Sequence, residues 1–536
     1  MTRRPTAPAL EVRRARYWAA FALAALVVLS GVVVYEVAVL PLAPRVYSSV
    51  NVTVQIGPNA SGTVPPDFLG VNVRSDGPLG SPQAAGINQT AARLVRWPGG
   101  ALADRFDALG ANDGGLIYND NGTATLADTS LAGFAAWCRD VGCRAIVTVP
   151  VEIANASYAG ALARYSVTTL GFSPAYWELG NEPARWNHFG VPWSLWIGVQ
   201  NITPTPAQYT SAAAGYISAI RAVEPGAKFL APGGVGFGGA TETTWVNAVV
   251  VQLGRNLSGV SMHVYPAGNG NYFGASSTFF ESLEGPGGIP ARVAAVTAAA
   301  HGACGSCRLS VFLDEFAAQT GNPPGGFVVD FPLVPYVAAE LVQALQSGVS
   351  ATAFWVFQSG YPAAWFAPDG TPRPTFELYS SVVAALPAPL RPTTLVGAVS
   401  GLFAQAFGAN GTPAVTLLLV NANATTGMYV NLSAFLPASG EITREFWDGS
   451  TSAPVRAPFG GTGGARDLLP PLSLARYDGL QVPAALPRAL AHSENSGIAP
   501  GSIVPYDSTV KYCFSAPVTG QIPIHGIVRA LPIRIR

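Results

Sequence analysis

Between about residues 66 and 390 the chain alternates two patterns of apolar positions. Short apolar runs recur at Phe68–Val73, Leu94–Pro98, Arg144–Pro150, Tyr176–Glu182, Lys228–Gly234, Gly259–Pro266, Leu309–Phe316 and Ala351–Phe357. Several are unbroken, such as Ala145-Ile-Val-Thr-Val and Ser310-Val-Phe-Leu. An unbroken run predicts a parallel strand buried on both faces. Between the runs, Leu126–Val141, Pro206–Val223, Glu242–Asn256 and Val334–Ser347 space Ala, Leu and Val at helical intervals. Eight such units predict an α/β fold, a (β/α)8 TIM barrel over residues 66–390. An open doubly wound sheet is the competing architecture. It calls for a glycine-rich phosphate loop after its first strand, which Gly70-Val-Asn-Val-Arg74 is not.

From 391 to 480 helical spacing gives way to alternation, as in Ala414-Val-Thr-Leu-Leu-Leu-Val420, with turn clusters between the runs. This predicts a C-terminal β-sandwich. The alternating stretch inside residues 46–65 (Val50-Asn-Val-Thr-Val-Gln-Ile56) is expected to add a strand to it. Residues 481–536 show no clear pattern and receive no role. At the other end, Arg3, Arg4, Arg13, Arg14 and Arg16 precede an uncharged apolar run from Tyr17 to Tyr35. About 20 apolar residues cross a bilayer, whereas a cleaved leader has an apolar core of about 7–15. The expectation is therefore a cytoplasmic basic segment (1–16), a single transmembrane helix (17–36) and an outward-facing bulk. If the segment is cleaved, the product is secreted instead.

Composition narrows the function. Charged residues are 11% of the chain and the formal net charge is zero, so no basic face for nucleic acid is expected. Apolar residues make up 49%, enough for a large core. Ten Asn-x-Ser/Thr triplets, at Asn51, Asn59, Asn88, Asn121, Asn155, Asn201, Asn256, Asn410, Asn423 and Asn431, fit an exported glycoprotein. In such a compartment Cys304-Gly-Ser-Cys307 reads as a local disulfide, and Cys138 with Cys143 as another. Five histidines and no His-x-x-x-His spacing argue against a metal centre, and no cofactor is expected.

In a barrel of this kind reactive groups stand at the C-terminal ends of strands. The fourth run ends Asn181-Glu182-Pro183, and the seventh ends Asp314-Glu315-Phe316. Two carboxyl groups facing each other across the mouth are the apparatus of glycoside hydrolysis, one giving a proton and the other attacking the anomeric carbon. Asn181-Glu182-Pro183, Met262-His-Val-Tyr-Pro266 and Asp314-Glu315-Phe316, at strand ends in this order, resemble the motifs of glycoside hydrolase clan A. Trp177-Glu-Leu-Gly-Asn-Glu-Pro183 is closest to the heparanase and β-glucuronidase group. Arg96-Trp-Pro-Gly-Gly100 is closer to the α-L-arabinofuranosidases. The resemblance implies a retaining barrel enzyme with Glu182 as acid/base and Glu315 as nucleophile. It also implies that Asn181 binds the sugar 2-hydroxyl, Arg96 bonds the nucleophile, His263 and Tyr265 stand beside it, and Trp355 floors the sugar site. Asn72, near the end of the first run, is a further candidate for substrate contact. The loop Ala184-Arg-Trp-Asn-His-Phe189 matches neither group, and Asn72, Arg74 and Asp76 stand where relatives often present an acid.

Each residue also has a plainer reading. Adjacent strand residues point to opposite faces, so only one of Asp314 and Glu315 is expected inside. Glu178 reads as a buried, paired carboxylate, with Arg96 as a partner that could balance it. Trp97 reads as core and Asp104 as a turn acid, and Trp186, Trp193 and Trp196 as subsite lining or loop packing. The functional expectation is a retaining glycosidase of β-glucuronidase-like type acting on extracellular carbohydrate, anchored at the cell membrane. An α-L-arabinofuranosidase and a non-catalytic surface carbohydrate-binding protein are the alternatives.

Overall fold

A computed structural model describes residues 47–483, apart from 81–85, 154, 200, 234–239, 268–280, 319–332, 362, 385, 387–388, 398–399, 438–440 and 460–464. The anchor read at 17–36 and most of the tail at 481–536 lie outside the described residues. Among those described, no helix is long and apolar enough to cross a membrane.

Eight parallel strands close into a barrel, here β1 (Gly70–Asn72), β2 (Leu94–Trp97), β3 (Arg144–Val149), β4 (Tyr176–Leu179), β5 (Phe229–Pro232), β6 (Gly259–Val264), β7 (Ser310–Phe316) and β8 (Ala351–Phe354). Each pairs with its neighbours in sequence, and β8 returns to β1 through Phe354 opposite Val71. All eight fall on the apolar runs, shortened at their ends. β4 loses three residues, all at its C-terminal end, and stops at Leu179 rather than Glu182. Gly180 and Glu182 there take φ of 85° and 40°, outside strand geometry.

The helices follow their capping chemistry. The helix after β2 begins at Leu131, not Leu126. Ala124–Leu126 instead forms the edge of a small sheet with Phe106–Asp107 and Leu116–Tyr118, and the Ser130 side chain accepts the Gly133 N–H. Leu131, Phe134, Ala135 and Cys138 make its buried stripe, at the i, i+3, i+4, i+7 spacing that faces a core. Each large side chain so buried contributes about 1.5–3 kcal/mol. Gly142 ends it in the left-handed conformation. Thr205 and Gln208 form a capping box at the start of Pro206–Arg221. Helices Ala156–Ala163 and Ile289–Ala303 complete units that the sequence pattern left blank.

The sandwich has two sheets. One orders Thr393–Val396, Ser48–Ile56, Thr426–Asn431 and Arg466–Leu469, so the N-terminal strand lies inside it, parallel to Thr426–Asn431. Val52, Val54 and Ile56 point inward against Leu417, Leu419, Met428 and Val430, the alternation a half-buried strand requires. The other sheet has six strands, from Leu390–Arg391 to Val455–Phe459. Helix Leu333–Gln346 is buried along nearly its whole length because the sandwich covers the face turned away from the barrel, and Gln346 Nε2 donates to the Ala404 carbonyl at 2.9 Å. Cys138–Cys143 and Cys304–Cys307 are both disulfides, the pairing expected from their spacing.

Candidate active site

Arg96 organises the barrel mouth. It ends on β2, is fully buried, and distributes its guanidinium over four partners. Nε donates to Glu178 Oε2 at 2.6 Å, Nη1 to Asn72 Oδ1 at 3.0 Å and to Glu315 Oε2 at 3.0 Å, and Nη2 to Asn181 Oδ1 at 2.8 Å. Burial works against its charge, but the carboxylates around it, Glu178 foremost, outweigh that and hold it protonated. Arg96 thus bonds both carboxylates that the sequence offered it as alternatives, the structural Glu178 and the candidate nucleophile.

Glu315 receives a second anchor from Tyr265, whose hydroxyl donates to Oε1 at 2.5 Å. Glu182 sits in the left-handed region, φ 40° and ψ 59°, between Asn181 and Pro183. A non-glycine residue there is strained, and such strain concentrates at functional sites. Gly180 (φ 85°) makes the turn that precedes it, and a side chain at that position would meet the Trp186 ring at 2.6 Å. This turn aims Asn181 and Glu182 at the same opening, which a regular strand would not do. Glu182 Oε1 meets His263 Nδ1 at 3.0 Å and Oε2 accepts from Arg185 Nη1 at 2.7 Å. His263 Nδ1 is also 3.8 Å from Glu315 Oε2. One carboxylate oxygen of Glu182, one of Glu315 and a His263 nitrogen all lie within 4.8 Å of one another.

Asp314 and Glu315 both enter the barrel, contrary to the alternation expected of adjacent strand residues. An extra residue in β7, which advances three positions where β6 advances two (Ser261 to His263) and β8 advances two (Thr352 to Phe354), turns both inward. They stand at different depths. Asp314 lies below, 3.5 Å from Arg96 Nε and 3.7 Å from His263 Nε2, while Glu315 opens to the cavity. Burial first, and then Glu178, push Asp314 well above the ordinary carboxylate range, so it is the neutral member of that pair. Burial also acts against ionised Glu178, but Arg96, Asp314 and Thr148 pull it down to about 2. At Glu182 burial is likewise overcome, here by His263 and Arg185, and its carboxyl falls to about 2. His263 moves upward: burial opposes its charge and the two glutamates restore it. The proton of the His263–Glu182 pair therefore rests on the imidazole, one hydrogen bond from Glu182.

Glu182 and Glu315 line a cavity of 410 Å³ together with Asn181, Tyr265, Trp355 and Tyr361. Asn72, Arg96 and His263 are buried and do not line it. Asn72 has its amide fully engaged, donating to the Asp314 and Ala353 carbonyls at 2.8 and 2.9 Å, so it supports the floor rather than facing the opening. Trp355 is half-buried and its ring lies against Gly99-Gly100. Gly100 has φ 68°, and a Cβ there would come within 2.4 Å of that ring, which explains glycine in Trp97-Pro-Gly-Gly100. Trp97 is core, stacked on Phe134 at 4.8 Å. Trp186 donates to the Asn181 carbonyl at 2.7 Å and Trp193 to the Asp104 carbonyl at 3.1 Å, fixing the β4 loop. Asp104 is more than a turn acid, since its Oδ1 accepts the Asn181 N–H at 3.0 Å. Sequence reasoning passed over Arg185, Tyr361 and Glu152. Glu152 stands just beyond β3, where the strand-end rule would have found it. Two sets of donors, Glu178–His263–Asp314 and Glu182–His263–Glu315, have the spacing of a metal site, but Arg96 already supplies a positive charge between them.

No protein-family model and no curated protein matches the chain. Solved structures do. A family 51 arabinofuranosidase from Xanthomonas axonopodis pv. citri aligns at TM-score 0.62 with 15% identity, over 81% of this chain and 100% of that one. A family 51 α-L-arabinofuranosidase from Bifidobacterium longum gives 0.61 and 15%, over 82% and 100%. CelM2, a bifunctional glucanase-xylanase from a metagenome library, gives 0.58 and 15%, over 81% and 100%. The chain shares their fold. The barrel and sandwich implied by the clan A resemblance are thus present together, and each of these glycoside hydrolases is matched along its whole length.

Proposed function

We propose that the chain is a retaining glycoside hydrolase with Glu315 as nucleophile and Glu182 as acid/base. One observation carries this reading: carboxylate oxygens from the ends of β4 and β7 approach within 4.8 Å and line one cavity. Retaining enzymes hold their two carboxyl groups about 5–5.5 Å apart, whereas inverting ones leave about 6.5–9.5 Å for a water. In the first step Glu315 attacks the anomeric carbon as the bond to the leaving oxygen breaks, and that oxygen takes the proton held between His263 and Glu182. In the second, Glu182 removes a proton from water, which attacks the same carbon and releases Glu315. Arg96 and Tyr265 orient Glu315 and steady its charge as it departs. Trp355 offers an aromatic face to the sugar. Asn181, with Oδ1 held by Arg96, is placed to meet a sugar hydroxyl.

For the sugar, a β-glucuronide-like substrate is supported by Arg74 and Arg185 on the cavity wall, cations suited to a uronic carboxylate. An α-L-arabinofuranoside is the second reading, favoured by the full-length likeness in fold to arabinofuranosidases. Outward display from a membrane anchor at 17–36 is supported by the two disulfides. The sequons fit it too: eight of the ten asparagines are exposed and Asn423 and Asn431 are half-buried. The test is hydrolysis of a panel of aryl glycosides by wild type, Glu182→Gln and Glu315→Gln, followed by trapping with a fluorosugar and mass spectrometry. Covalent label on Glu315 is expected. A wild type inert on every sugar would favour a non-catalytic carbohydrate-binding protein, and label on Asp314 would overturn the choice of nucleophile.

A further inference from the structure

The cavity between the two glutamates has a neighbour. A second cavity of 260 Å³ shares Asn181, Glu182 and Arg185 with it. Its wall also takes Asp104 and Arg105 after β2, Glu152 after β3, and Trp186, Asn187 and His188 after β4. Glu315 lines the first cavity and not the second. This asymmetry has a chemical meaning. A sugar undergoing displacement must touch both carboxyl groups, so it belongs in the first cavity. The group on the far side of the scissile oxygen need touch only the proton donor. Glu182 borders both spaces and so stands where that oxygen passes from one to the other.

The second cavity is also polar in a way that suits hydroxyl groups. Glu152 Oε1 accepts the backbone N–H groups of Asn187 and His188 at 3.2 and 3.0 Å, and Asp104 Oδ1 that of Asn181 at 3.0 Å. Burial holds both acids up, Glu152 to about 7 and Asp104, with added repulsion from Glu152, well above the carboxylate range. A protonated carboxyl donates and accepts at once, as a sugar hydroxyl does. We propose that this cavity is the leaving-group subsite and takes a hydroxylated sugar unit, so that the substrate is a saccharide chain rather than a glycoside of a small alcohol. The inference rests on the glycosidase reading and specifies its substrate.

The test compares trisaccharides ending in arabinofuranose, xylose or glucuronic acid with the methyl glycosides of the same three sugars. A methyl glycoside demands the same proton from Glu182 but cannot fill the second cavity, so the ratio of kcat/KM values isolates the subsite. For the best terminal sugar, wild type is expected to favour the trisaccharide by at least about tenfold. Asn187→Trp, which fills the cavity from an exposed position, and Glu152→Gln, which keeps an acceptor for the loop, should each lower that ratio by about tenfold. A wild-type ratio near one, or a ratio that neither variant changes by more than about twofold, would overturn the inference while leaving a working glycosidase. A wild type that cleaves none of the six compounds would remove both readings together.

Discussion

Replacing Arg96 by methionine probes the whole site at once. The side chain is fully buried and bonds two carboxylates, Glu178 and Glu315, and two amides, Asn72 and Asn181. Glu178 lies at about 2 in place of 4.5, and burial alone would push it the other way. That depression corresponds to about 3 kcal/mol in favour of the folded state at neutral pH. Breaking a buried ion pair by removing one partner costs about 3–5 kcal/mol, because the other charge is left uncompensated. The two figures agree, so Arg96→Met should lower stability by about 3–5 kcal/mol near neutral pH, a fall in Tm of about 3–7 °C for a protein of this length. The pH dependence is more diagnostic. In wild type the depressed Glu178 gives stability that is present above 4.5 and lost as pH falls towards about 2. Without Arg96, burial dominates and Glu178 is raised, so its contribution reverses and stability is lost as pH climbs above 4.5. Melting curves at pH 5 and pH 8 should therefore show the wider gap between variant and wild type at pH 8. The kcat/KM for an aryl glycoside should fall about a hundredfold or more with the Glu315 contact. A Tm loss under about 2 °C at both pH values, or a gap that widens towards acid, would refute the reasoning.

Two further predictions use other groups. Arg185 helps hold Glu182 ionised against its burial, so Arg185→Gln should raise the Glu182 carboxyl, tighten the hold of the His263–Glu182 pair on its proton and move the alkaline limb of the kcat/KM profile to higher pH. Because the Arg185 side chain is about half exposed at 51%, screening limits the shift to about one pH unit at most, smaller at high salt; a downward shift would contradict this. Glu340 is fully buried, neither of its oxygens has a partner among the described residues, and burial raises its carboxyl well above 4.5. Stability is therefore lost as pH rises above 4.5, and Glu340→Met should be more stable than wild type by about 1–3 kcal/mol at pH 7, with the gap narrowing towards pH 4. Denaturation at the two pH values checks it, and a gap of equal size at both would tell against it.

Much of this protein was legible in its residues. The eight short apolar runs, several of them unbroken, specified the barrel, because a parallel strand covered on both faces is largely apolar. The alternation of Val52, Val54 and Ile56 placed the N-terminal strand in the sandwich, since one face of that strand meets the core and the other meets water. Glu182 and Glu315 were legible as candidates because chemistry in such a barrel is confined to strand ends. What the sequence could not supply was direction. Strand alternation forbade Asp314 and Glu315 from sharing a face and said nothing of Asn181 beside Glu182. A register slip between β6 and β7 admitted both acids at two depths, and a left-handed turn at Glu182 aimed two adjacent side chains at one cavity. Asn72 looked like a substrate contact until its amide was seen fully engaged. Glu152 was within reach of the strand-end rule, but Arg185 and Tyr361 gained their places only when loops after different strands met in space. Local periodicity is a property of neighbours along the chain, so it determined the elements. Where a side chain points, and what meets it from more than eighty residues away (Arg96 with Glu178 and Asn181), is settled only when the barrel closes.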